Sequence, residues 1–141
     1  MVTQLGQPRI QATGVIIKSA AELEIMRRAG RVVALTIERL KEAVKPGFTT
    51  AALDGIAEES IRGEGAIPSF KGYRGFPASI CTSINEQVVH GIPGKRVIQE
   101  GDLVSLDVGA IVEGFHGDAA VSVPAGEVAP DAMALMEAAR S

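Results

Sequence analysis

A single cysteine, two histidines and no long apolar run set the first limits on this 141-residue chain. With Cys81 alone, no disulfide can close within the chain, which suits a reducing compartment, with the cytoplasm expected. His90 and His116 are too few for a histidine-rich zinc site. No stretch approaches the roughly 18 apolar residues that cross a bilayer. Residues 1–11, polar with Gly6 and Pro8, lack the apolar core of about 7–15 residues that a signal peptide carries, so neither membrane insertion nor export is expected. Basic charge is not in excess either. There are 14 Lys and Arg against 17 Asp and Glu, mixed along the chain, for a formal net charge of -3. That distribution offers no electrostatic footprint for nucleic acid.

What is present is ordinary globular material, 46% hydrophobic and 22% charged, in a length that suits one domain of about 100–150 residues. Residues 1–13 read as a flexible tail, whose candidate role is ribosome association, and 14–141 as the folded part. Gly14-Val15-Ile16-Ile17 is a strand or an apolar lead-in. Ser19 with Glu22 three places on fits a capping box, and Leu23, Met26, Gly30, Val33, Ile37, Leu40 and Val44 recur at spacings of three and four, predicting one long helix with a continuous apolar stripe. Lys45-Pro46-Gly47 ends it. Thr49 or Thr50 caps a second helix with Leu53, Ile56, Ala57 and Ile61 inward, closed by Gly63 and Gly65.

From residue 69 to 101 Gly, Pro and Ser punctuate short apolar runs, the texture of loops between strands. Residues 102–112 alternate, with Val104, Leu106, Val108 and Val112 on one face and Ser105, Asp107 and Gly109 on the other. Glu113-Gly114 marks a turn, residues 115–123 run back to Pro124, and 131–140 open a further helix. Two helices packed on an antiparallel sheet, an α+β arrangement, is the fold expected.

Chemistry concentrates where that hairpin brings Asp107 and Asp118 to one face. A four-residue loop at 111–114 would set them directly opposite, and a two-residue Glu113-Gly114 loop diagonally, with Cβ atoms roughly 5 Å or 7–8 Å apart. Two facing carboxylates repel unless a cation lies between them. Between Arg96 and Arg140 there is no Lys or Arg to supply one, so a divalent metal, which favours carboxylate oxygens, is one reading. The others are that one aspartate points to solvent or that the pair shares a proton.

His90 lies in Asn85-Glu86-Gln87-Val88-Val89-His90-Gly91-Ile92-Pro93, read as a short strand running into a tight turn. It is either a core histidine on a backbone carbonyl or an imidazole donating to a substrate amide or carbonyl. His116, on the face of Asp118, is read as a supporting group. Tyr73, Phe76 and Cys81 cluster in one segment, and a thiol beside aromatics suits an unbranched apolar side chain such as methionine, although core packing explains them equally well. Nothing marks Cys81 as an activated nucleophile.

Read together, Gly72-Tyr73-Arg74-Gly75-Phe76-Pro77, Cys81-Thr82-Ser83-Ile84-Asn85-Glu86, Val89-His90-Gly91-Ile92-Pro93, Gly101-Asp102, Asp107-Val108 and Gly114-Phe115-His116-Gly117-Asp118 closely resemble type I methionine aminopeptidases. The match runs in order from about residue 15 to the end of the chain. The resemblance implies the N-terminal half of the pita-bread fold of creatinases and aminopeptidases. It also implies two divalent metal ions, of cobalt, manganese, iron or zinc, held by two Asp, one His and two Glu. Asp107 and Asp118 stand at the two metal-binding aspartates, and His90 at the substrate-contacting, catalytic histidine. Tyr73, Phe76 and Cys81 stand at the methionine pocket, with Phe76 at a position that can carry tyrosine. The remaining histidine and two glutamates have no counterpart here.

The activity implied is removal of the initiator methionine from nascent polypeptides, by metal-activated water attacking the first peptide bond. The 141 residues alone are expected to be inactive and to self-associate through uncovered apolar surface. Two other readings remain: a non-catalytic module of the same fold binding peptides or proteins, and a related proline-specific peptidase. The Asn85 to Pro93 segment favours methionine over the latter.

Overall fold

The computed structural model describes residues 14–140, together with the backbone of Arg9–Ile10. The chain opens with β1 (Arg9–Ile10) paired antiparallel to β2 (Ile16–Ile17), so the apolar lead-in is a strand and part of the expected tail pairs with it. The rest of that tail lies outside the described residues.

Helix α1 (Ala20–Ala43) starts at the expected capping box. Ser19 accepts from the Glu22 backbone N–H at 3.3 Å, and the Glu22 carboxylate accepts from the Ser19 N–H at 2.6 Å. The buried stripe agrees with expectation from Val33 through Ile37, Leu40 and Val44. Nearer the N-terminus it departs. Ile25, Ala29 and Val32 are buried, whereas Leu23 is 41% exposed, Met26 is partly exposed and Gly30 lies outside. Two overlapping rows of apolar residues satisfy the same three-four spacing, and the sheet selects the one carrying the small Ala29. A Cβ on Gly117 would stand 2.6 Å from the Ala29 carbonyl carbon, so strand and helix touch backbone to backbone there.

Thr49 caps α2 (Thr50–Gly63), accepting from the Ala52 N–H at 3.1 Å, and Leu53, Ala57, Ser60 and Ile61 are buried. The two helices are pinned by a buried hydrogen bond, Thr36 Oγ1 to Ser60 Oγ, at 3.0 Å.

The sheet is built on β5. Strands β3 (Ile67–Pro68) and β4 (Ile80–Ile84) pair antiparallel with successive parts of β5 (Leu103–Val112), and β6 (Phe115–Pro124) runs along its whole length. Because β6 occupies one edge throughout, β3 and β4 share the other end to end. Val104, Leu106, Val108, Ala110 and Val112 point into the helices and form the core with Leu40, Leu53, Ile61, Ile80, Ile84 and Ile98. Each such fully buried Leu or Ile removes enough apolar area to stabilise the fold by about 1.5–3 kcal/mol against leaving it in water. The alternate face of β5 is left open by α1 and α2. A last helix, α3 (Pro130–Arg140), has no buried residue. Among the described residues no helix is long and apolar enough to cross a membrane.

Candidate metal centre and substrate cleft

The register of the hairpin decides the central question. Val112 pairs with Phe115, leaving Glu113 and Gly114 as a two-residue turn with φ of 48° and 83°. Positive φ at both positions is what a two-residue hairpin turn matching the sheet twist requires. The diagonal arrangement is therefore the one formed, and the four-residue loop is excluded. Asp107 stands opposite Ala120, and Asp118 opposite Gly109. Each carboxylate thus faces a small residue across the ladder, leaving space on the open face.

The two acids meet there. Asp107 is raised above the usual carboxylate range, first by burial, then by the charge of Asp118 and a side-chain contact with it, with His90 pulling the other way. Its Oδ1 is buried and has no hydrogen-bond partner. None of the ion pairs among the described residues involves Asp107 or Asp118. Pinning by a distant cation is therefore not how this pair is accommodated among the described residues; Asp107 is half-buried, whereas Asp118 is exposed, as the reading with one aspartate toward solvent expects. A buried orphan oxygen beside a second carboxylate is an apt donor set for a hard cation. The set is incomplete, since among the described residues no three His, Cys, Asp or Glu side chains gather into a metal-binding cluster.

Cys81 pairs with Asp107 on the far side of β5 and is buried. Burial, with the charges of Asp107, Asp118 and Asp54, pushes its thiol up to about 11. It is an apolar lining group rather than a nucleophile. Asp54 contributes from α2, its Oδ1 accepting the Ser79 and Ile80 N–H groups at 2.8 and 3.0 Å and fixing where β4 begins.

His90 reaches the site differently from expectation. Residues 85–93 form no strand, and Val88 and Val89 are 85% and 65% exposed. The segment is held instead at two points. At its start Asn85, with φ of 54°, donates to Asp102 Oδ1 at 2.8 Å and accepts the Leu103 N–H at 2.9 Å. At its end Gly91 clasps β4, its carbonyl taking the Thr82 N–H at 2.9 Å and its N–H donating to Ser83 Oγ at 3.1 Å. A Cβ on Gly91 would collide with the Thr82 carbonyl, so only glycine allows this approach. His90 itself adopts φ of 59° and is exposed, which rules out the core-histidine reading. The apolar pattern that suggested a strand belongs to loop residues facing outward. His116 is tied to Ser69 Oγ through Nδ1 at 3.1 Å and stays apart from the cleft.

All six residues singled out from the sequence, Tyr73, Phe76, Cys81, His90, Asp107 and Asp118, line one cleft of about 640 Å³. Phe70, Arg74 and Ile92 line it too and were missed. Phe70 meets Phe76 edge to face, with centroids 6.5 Å apart, and sits where a Cβ on Gly109 would be, 2.8 Å from that position. Only the third dimension shows this, although Arg74 stood inside a motif already noted. An adjoining groove of about 680 Å³, between the open sheet face and α3, shares His90 and Asp107.

Residues 24–141 match the model of metallopeptidase family M24. The chain belongs to metallopeptidase family M24. Within M24 it is 55% identical over 123 residues to methionine aminopeptidase 1 of Bacillus subtilis, covering 87% of this chain and 50% of that one. The crystal structure of a Thermotoga maritima methionine aminopeptidase superposes with a TM-score of 0.85 at 36% identity, over 94% of this chain and 51% of that one. The prolidase of Pyrococcus furiosus matches with a TM-score of 0.76 at 21% identity, over 86% of this chain and 34% of that one, which shows a shared fold. The resemblance to methionine aminopeptidases and the pita-bread architecture hold. The chain spans about half the length of the relatives it matches.

Proposed function

We propose that this M24 chain carries the two-aspartate part of a methionine aminopeptidase active site, acting on the N-terminal methionine of nascent polypeptides in the cytoplasm. The supporting observation is the pair Asp107 and Asp118 on one open face, with a buried, unpartnered Oδ1 on Asp107 and, among the described residues, no ion pair that involves either acid. These two side chains would hold divalent metal; two ions of cobalt, manganese, iron or zinc are the reading the resemblance supports. Divalent metal bound there supplies Lewis acidity toward the first peptide carbonyl and makes water a competent nucleophile near neutral pH.

The chain's own residues do the positioning. Phe70, Tyr73, Phe76, Cys81 and Ile92 form an apolar wall suited to an unbranched side chain, and the protonated thiol adds a soft, polarisable contact. His90, which lines the cleft next to the Gly91 clasp, would donate to the carbonyl or amide of the first peptide bond as charge develops there. Further ligands and a general base are needed to complete the reaction, and among the described residues no three His, Cys, Asp or Glu side chains form a group that could hold a metal ion.

The experiment is release of methionine from Met-Ala-Ser by the intact gene product with Co²⁺ or Mn²⁺. Release in either is expected, and none in both would end the proposal. A proline-specific peptidase is less well supported, since the prolidase likeness is confined to fold. Faster cleavage of Ala-Pro than of Met-Ala would reverse that preference. A binding module without catalysis would have no need of divalent metal, and calorimetry of metal binding separates it.

A further inference from the structure

The turn at the rim of the cleft carries a charge that nothing described so far uses. Gly72, Arg74 and Gly75 all have positive φ, at 85°, 49° and 81°, within a turn closed by Gly72 N–H to the Phe76 carbonyl at 2.8 Å and Phe76 N–H to the Tyr73 carbonyl at 2.9 Å. Glycine adopts this conformation freely, but an arginine does so against steric resistance, and only when its surroundings hold it there. The consequence is directional. The Arg74 guanidinium lies over the Tyr73 ring, 5.3 Å from its centroid, and both residues line the cleft while remaining exposed.

Beyond the Tyr73 ring, its charge meets no acidic partner in an ion pair among the described residues. Lys71, three residues away, is paired with Glu58 at 2.6 Å, whereas Arg74 takes part in none of the ion pairs among the described residues. Nor is it among the charges that act on Asp107. The cleft is therefore polarised, with two carboxylates on the sheet and one cation at the rim. An apolar first side chain fits the wall between them. An acidic side chain further along the peptide is drawn to the guanidinium, whose planar fork matches a carboxylate.

We infer that Arg74 is a specificity-determining residue that reads charge beyond the first residue of a bound peptide, favouring acidic over basic side chains. The inference rests on the aminopeptidase reading of the cleft but is tested separately from it. The probes are C-terminally amidated Met-Ala-Glu-Ala, Met-Ala-Gln-Ala and Met-Ala-Lys-Ala, offered to the intact gene product. Equilibrium binding is measured alongside methionine release, at low salt and at 0.5 M salt. An exposed pair of this kind should favour the Glu peptide over the Lys peptide by about two- to fivefold at low salt, and salt should erase the preference. Arg74→Gln should abolish the preference, Arg74→Lys should keep most of it, and Arg74→Glu should invert it. Arg74→Gly, which suits the left-handed backbone, is the second neutral variant if the glutamine protein does not fold. A preference unchanged in the neutral variants, or an equal loss across all three peptides, would overturn the inference and leave Arg74 as a prop for Tyr73. Binding that discriminates by charge without release of methionine from any peptide would support Arg74's role and count against the aminopeptidase reading instead.

Discussion

Asp107 is the residue on which the proposed metal site turns, because its carboxyl is costly where it stands. Burial and Asp118 raise its pKa, so the folded chain holds that proton more tightly than the unfolded chain does. The metal-free protein should gain stability as pH falls from neutrality through the folded pKa toward the ordinary aspartate value, and lose it as pH rises. Asp107→Asn should flatten that slope in thermal melts taken between pH 4 and 7, and should also abolish the heat of Mn²⁺ binding in calorimetry. A variant that still binds Mn²⁺ as wild type does would remove Asp107 from the ligand set. Cys81 offers a second measurement at this scale. With a thiol pushed up to about 11, the thiolate fraction at pH 7 is minute and grows about tenfold per pH unit. Alkylation in EDTA should accordingly be slow at pH 7 and climb steadily up to about pH 11, whereas an activated thiol would already react at a plateau rate near neutrality.

Among the elements, the contact of α1 with β6 carries the hairpin. Gly117 lies against the backbone of Ala29 and Gly30, where a Cβ would stand 2.6–2.8 Å away, and the next residue is Asp118. Gly117→Ala must push strand from helix, since the obstacle is backbone and not a movable side chain. A loss of about 1–3 kcal/mol is expected by denaturant melts, with weaker metal binding because the displacement reaches Asp118 directly. No change in either would show that the strand can shift without cost. The segment 85–93 is held by different means, through Asn85 on Asp102 and Gly91 on β4, and these anchors aim His90 without regular structure.

At the scale of the whole molecule, the open sheet face and its rim remain largely uncovered among the described residues. Val88, Val89 and Leu135 are 85%, 65% and 66% exposed, beside the groove that shares Asp107 and His90. Apolar surface of this kind seeks a cover. The chain by itself is expected to self-associate in sedimentation measurements and to release no methionine from Met-Ala-Ser. A monodisperse, active monomer would contradict both expectations.

The local grammar of the chain was legible without coordinates, because caps, turns and alternation act over three or four residues. The Ser19 capping box, the Thr49 cap, the alternation along β5 and the turn at Glu113-Gly114 each name their own structure. Those signals were enough to bring Asp107 and Asp118 to one face, whereas Tyr73, Phe76, Cys81 and His90 joined them as a candidate site only through the resemblance of their motifs to type I methionine aminopeptidases. What the tertiary structure alone decided was every choice between locally equivalent options. It chose which of two apolar rows on α1 turns inward, because Gly117 admits Ala29 there. It selected the diagonal register over the opposed one, and kept Val88 and Val89 out of any strand because Gly91 and Asn85 hold that segment as a loop. It also set Phe70 and Arg74 in the cleft that the carboxylates line. Contacts between residues distant in the chain carry no short-range signature, and only packing determines which of them form.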